Sequence, residues 1–205
     1  MYLLQNYDAA AALPEVVLAV LAMALLMYGV FKKGDTNDQV TIGAVFSLGL
    51  VAALVIFARE GKTSAFGGAF IVDTFARVMK AMALFGSAIA IVLSTHFMKR
   101  VKMARFEYPI LVMLATVGMM MMISANDLIS LYMGLELQSL SLYVVAALNR
   151  DSAKSSEAGL KYFVLGALSS GMLLYGASLV YGFTGITTFP QIAAALASGG
   201  STLGL

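Results

Sequence analysis

The chain of 205 residues contains no cysteine and a single histidine, His96. Without thiols it can build no disulfide scaffold, thiolate metal site, iron–sulfur ligation or catalytic thiol, and one imidazole leaves almost nothing for haem or zinc. Charge is also scarce: 12% of residues are Asp, Glu, Lys or Arg, against about 25% in a soluble domain. What fills their place is apolar, 60% of the chain at a mean hydropathy of +0.89. That composition belongs to an integral membrane protein. The net charge of +2 does not argue for a nucleic-acid partner, because basic residues spread along a membrane chain serve topology.

A span needs about 17–25 apolar residues, and six stretches qualify: 14–31, 40–58, 74–97, 108–124, 128–148 and 158–183. The expected fold is an all-α membrane protein of six transmembrane helices. Pro14 opens the first, where a missing N–H costs little, and Asn126-Asp127 reads as the cap of the fifth. Nothing before the first span resembles a secretory signal, which needs a basic start and a shorter apolar core. After the sixth, the chain reads as a turn at Gly185, a short Ala-rich helix over 191–197 and a Gly/Ser break, as if another helix were about to begin. Lys32, Lys33, Lys99, Arg100, Lys102, Arg105, Arg150 and Lys154 fall in the connections after helices one, three and five, against Arg59 and Lys62 in the others. The positive-inside rule then places the N-terminus outside.

Ionisable residues within spans cost roughly 2.5–3.5 kcal/mol each at mid-membrane on insertion scales, so each is a candidate site. Glu136 lies about nine residues into helix five, on the order of 13 Å deep at 1.5 Å per residue. Its functional reading is a proton-exchanging carboxylate; the alternative is a structural Glu held by the hydroxyls or amides of a neighbouring helix. Lys161 stands four residues after Glu157, the favourable orientation for a helical ion pair, and either snorkels to the interface or serves a relay with Glu136. The rise arithmetic separates these two by roughly 10 Å, so contact needs water or a third residue. Asp73, Arg77 and Lys80 share one stripe of helix three with Leu84, Ser87 and Ile91, a stripe that must face protein. Asp73 and Arg77 are expected to neutralise each other, and the deeper Lys80 to be a relay member or a buried structural charge. His96 reads as a surface group, Met119–Met122 as packing or lipid-facing surface, and Gly166, Ser170, Ala177 and Tyr181, with Gly171 and Ser178 beside them, as a small-residue packing face. No phosphate-binding loop and no paired metal-ligand spacing occurs.

The run from Asn126 to Leu140, with Glu136 inside it, followed by Glu157-Ala158-Gly159-Leu160-Lys161-Tyr162-Phe163, resembles the antiporter-like subunits of respiratory complex I. Leu13-Pro14-Glu15 and Val72-Asp73 fit the same family. The resemblance implies an all-α, fourteen-helix proton-translocating membrane subunit with two inverted five-helix repeats, of which this chain is the N-terminal portion. Residues 1–106 would be three leading helices and 107–205 the start of the first repeat, truncated before its end. In that family a Glu matching Glu136 pairs with a Lys on helix seven, which would follow Leu205, and a Lys matching Lys161 lies on the route. The family chain binds no cofactor: NADH, flavin, iron–sulfur clusters and quinone belong to partner subunits. Its partners are the other membrane subunits of the complex, the lipid bilayer and protons. The expected location is the bacterial inner (plasma) membrane, with the mitochondrial inner membrane as the alternative. A multi-subunit cation/proton antiporter is the competing function, and a scaffold whose charges only pin helix packing is the third reading.

Overall fold

The structure, a computed structural model, describes residues 11–197 except 33, 35, 59, 60 and 102. Arg59, Lys33 and Lys102 of the topology argument, and the Gly/Ser break after residue 197, lie outside the described residues. Among those residues six helices are long and apolar enough to cross a membrane: α1 (Leu13–Phe31), α2 (Asn37–Ile56), α3 (Thr74–Arg100), α4 (Glu107–Ser124), α5 (Leu128–Ala146) and α6 (Ala153–Thr184). The chain is a multi-pass membrane protein. A short helix, α7 (Phe189–Ala197), follows α6 after Gly185, whose φ of 69° closes α6 in a left-handed turn that suits a residue without Cβ.

Helices α3, α5 and α6 begin where a side chain satisfies free N–H groups. Asp73 accepts from Ala76 N at 2.7 Å at the start of α3, and Asp127 accepts from Ile129 N and Ser130 N at 2.8 and 3.3 Å at the start of α5. Sequence periodicity begins helix six at 158, but the structure begins α6 at Ala153. Ser152 caps it through Ser155 N at 3.4 Å, and the polar stretch that reads as loop is compatible with a helix projecting beyond the apolar region.

Helices α1–α4 share one core, in which Leu18, Ala44, Leu48, Val51, Leu84, Ile91, Met113 and Met120 are all buried. Of the two readings of the methionine run, packing or lipid-facing surface, Met120 takes the first. Ser87 of α3 accepts a hydrogen bond from Thr116 of α4 at 2.7 Å inside this core, so each hydroxyl is satisfied away from water. Helix α5 lies against α4, and α6 lies against α5 and is exposed along most of its length.

Between α2 and α3 the sequence indicates only a connection; the structure forms a hairpin there. Strand β1 (Thr63–Ala65) pairs antiparallel with β2 (Phe70–Val72) in the register Thr63 with Val72. The strands are too short for a period-two signal. The hairpin stands at the end of the bundle where α1, α3 and α5 begin. Asn126 joins two parts of the chain there: its backbone N–H bonds Ala69 O at 2.9 Å, its side chain bonds Gly68 O at 2.8 Å, and its carbonyl accepts from Phe189 N at 3.0 Å.

Candidate functional site

Glu136 occupies the middle of α5, eight residues or about 12 Å from its first residue. Its position on the helix is fixed from the opposite side. Gly118 of α4 and Gly134 of α5 approach so closely that a Cβ on Gly118 would stand 2.6 Å from the Gly134 carbonyl oxygen. Two residues along a helix turn a side chain by roughly 200°, so seating Gly134 on α4 aims Glu136 at α6. There Ser170 Oγ donates to Glu136 Oε1, and Ser170 Oγ also lies 3.1 Å from the Tyr132 hydroxyl. A serine has one hydrogen to give. When it serves the carboxylate, Tyr132 is left to donate to Ser170, and the three groups form a hydroxyl chain ending on the carboxylate.

Ser170 belongs to the small-residue face expected on α6, and the structure refines that face. Its close approaches run through Gly159, against Ala147, and Gly166, against the Tyr143 ring and hydroxyl. Gly171 and Gly176 have open space where a Cβ would go, and Ser178 is exposed. A small side chain permits close packing, yet only the stripe turned toward α5 uses it.

Lys161 makes the expected ion pair with Glu157 at 2.5 Å, both side chains being largely exposed. The structure does not bring it to Glu136: nine residues of α6, about 13 Å of rise, separate it from Ser170, the partner of Glu136. His96 is exposed on the last turns of α3.

The stripe on α3 is buried as its periodicity requires, with Lys80, Leu84, Ser87 and Ile91 all inside. Asp73 and Arg77 do not pair with each other. Asp73 is occupied as the cap of α3, and Arg77 Nη1 donates to Ala58 O at 3.2 Å, just past the C-terminal end of α2. A cation there meets the negative end of the helix dipole, and the capping carboxylate is already committed to the Ala76 N–H. Lys80 has a partner that no reading of α3 alone could supply. Its Nζ lies 2.6 Å from Glu15 Oε1 on α1, with the two side chains 1% and 5% exposed, and 4.8 Å from the centre of the Phe70 ring of β2. Glu15 stands at the edge of the first span, in the first turn of a helix where an acidic residue is common, so its burial and its pairing with Lys80 were not legible from α1 alone.

A helical polytopic bundle that keeps a carboxylate on a serine hydroxyl and a lysine on a second carboxylate inside its spans holds the kind of intramembrane charge that marks a candidate functional site. The family described as NADH:quinone oxidoreductase/Mrp antiporter, TM, matches residues 125–204. NADH-quinone oxidoreductase subunit N of Parvibaculum lavamentivorans is 57% identical over 194 residues, 95% of this chain and 40% of that protein. Respiratory complex I from Thermus thermophilus with bound aureothin contains a chain that superposes with a TM-score of 0.71 at 32% identity, over 90% of this chain and 41% of that one. A chain of the Mrp complex from Dietzia shares the fold, with a TM-score of 0.73 at 18% identity over 93% of this chain and 22% of that one. The chain belongs to the antiporter-like membrane family of NADH:quinone oxidoreductases and Mrp antiporters, and it spans 40% of the length of the subunit N relative from Parvibaculum.

Proposed function

We propose that this chain is part of a proton-translocating membrane subunit of an NADH:quinone oxidoreductase, and that Glu136 is its proton-exchanging group. The observation that carries the reading is the carboxylate of Glu136 set within a membrane span and met by the Ser170 hydroxyl, with Tyr132 behind it and no basic side chain among the described residues in ion-pair contact. An ionised carboxylate in low dielectric is held up by charge or by several donors. One hydroxyl is a thin hold, and a proton delivered along Tyr132 and Ser170 neutralises the group without moving a helix.

Lys161 is the charge partner nearer the opposite end of the bundle, carrying or repelling protons on the way to Glu136, and Lys80 is a further relay member. Residues 1–106 act as three leading helices and 107–205 as the opening of an inverted repeat. NADH, flavin, iron–sulfur clusters and quinone are held by other subunits of the complex, which are also this chain's partners within a bacterial inner membrane. The N-terminus faces outside.

A second reading, a subunit of a multi-subunit cation/proton antiporter, is supported by the fold shared with the Mrp chain. Flavin and iron–sulfur absorbance in the purified intact assembly supports the first reading, and its absence supports the second. The test of Glu136 itself is proton uptake by vesicles holding the intact complex, normalised to NADH oxidised. Glu136→Gln keeps shape and hydrogen bonding but cannot ionise, so it is expected to lose most proton uptake, whereas Glu136→Asp keeps a good part. A Gln variant that pumps at the unmodified ratio removes Glu136 from the mechanism.

A further inference from the structure

The buried Glu15–Lys80 pair is a charge site in a part of the molecule that Glu136 does not reach. Glu15 is the third residue of α1 and Lys80 the seventh of α3, so the pair lies toward the hairpin end, between helices other than those that hold Glu136. We propose that Glu15 and Lys80 form a second proton-exchange site, with Glu15 accepting a proton and Lys80 releasing one. The proposal rests on the proton-translocating reading above and adds to it a site in the three leading helices.

Three features favour exchange over a fixed clasp. Burying two charges costs about what their attraction returns, so an ion pair this deep adds little net stability over an apolar pair of the same shape. A structural carboxylate in such a place gathers donors, yet Glu15 Oε2 is buried with no hydrogen-bond partner among the described residues. It can accept a proton without giving up a bond. The second neighbour of the ammonium is the face of Phe70, which attracts a cation without taking a hydrogen from it.

Access is provided by a cavity of about 500 Å³ that Glu15 lines together with Phe70, Val117 and, from α5, Ser130, Met133 and Leu137. Glu15 and Ser130 are its polar lining residues, and the rest is hydrocarbon that keeps the dielectric low. Ser130 stands six residues, roughly 9 Å of rise, before Glu136 on the same helix, so the cavity reaches α5 between the two sites.

The cycle balances. A proton entering on Glu15 turns the carboxylate into a carboxylic acid and leaves the Lys80 ammonium without its counter-charge. The ammonium then gives up a proton and becomes an amine. Transfer of the remaining acid proton from Glu15 to Lys80 across the 2.6 Å contact restores the ion pair, and one proton has entered at Glu15 and one has left from Lys80.

The experiment uses the intact complex in sealed vesicles, reading protons translocated per NADH oxidised. Removing one charge alone strands the other, so the first variant is the doubly neutral Glu15→Gln/Lys80→Met, which keeps the volume of both side chains. The second is Lys80→Arg, which keeps the ion pair but holds its proton at any working pH. Both are expected to assemble and oxidise NADH while losing part of the proton ratio. A ratio equal to the unmodified complex in either assembled variant overturns the proposal in favour of a clasp, as does failure of both to assemble, since the pair would then serve folding. Glu136→Gln measured alongside separates the two ideas. If it still pumps, the underlying reading fails; if it stops while the pair variants pump normally, only the second site is lost.

Discussion

Gly118 and Gly134 meet backbone to backbone across α4 and α5: a Cβ on Gly134 would lie 2.9 Å from both the Gly118 carbonyl oxygen and Met122 N. In a bilayer, where lipid tails are as apolar as leucine, such close approach is what holds helices together. It also has a functional consequence, because it fixes the rotation of α5 and with it the direction of Glu136.

Gly118→Ala and Gly134→Ala are accordingly expected to destabilise the subunit by about 1–3 kcal/mol each, the usual cost of overpacking a filled contact. The obstruction is backbone, which cannot move aside as a side-chain tip can. Gly176→Ala, with nothing within 4 Å of the new methyl, should be neutral within the described contacts. Thermal unfolding of the purified complex and the amount of assembled subunit compare the three, and equal behaviour would contradict the close-packing account.

Ser170→Ala removes the hydroxyl that meets Glu136 and severs Tyr132 from it. Proton transport per NADH should fall while assembly holds, since alanine fits where serine fits. Tyr132→Phe should give a smaller loss, because Ser170 can still donate to the carboxylate. A Tyr132→Phe defect larger than that of Ser170→Ala would place the route elsewhere.

For Lys161, the exposed ion pair with Glu157 is worth well under about 1 kcal/mol to stability. Lys161→Ala is therefore expected to leave assembly nearly unchanged and to lower proton transport. Arg keeps the charge but not the readiness to titrate, so Lys161→Arg should recover little. Full recovery with Arg would mean that a fixed charge suffices.

Orientation can be read by single-cysteine labelling against a background free of native cysteine. Ser64 on β1 and Arg105 before α4 are exposed at opposite ends of the bundle. An impermeant thiol reagent added outside should modify Ser64→Cys and spare Arg105→Cys. The reverse pattern would invert the topology.

Length and composition alone marked six spans, and the described residues form six helices long and apolar enough to cross a membrane, because the hydrocarbon core admits a helix where about 17–25 apolar residues run together. Local chemistry also settled the Asp127 cap of α5, the Glu157–Lys161 pair four residues apart and the burial of the Lys80–Leu84–Ser87–Ile91 stripe, since each depends on neighbours along one helix. Glu136 stood out because a lone carboxylate far from any loop is costly wherever the helix packs. Its partners did not: Ser170 lies thirty-four residues away on another helix, and which face of α5 turns toward α6 is decided by the Gly118–Gly134 contact. The same holds for Lys80. Its depth was visible, but a partner supplied by α1, a ring supplied by a three-residue strand and a competing role for Asp73 as a cap arise only when segments distant in sequence are packed together. Helix periodicity records which side is apolar and carries no information on which neighbour will cover it.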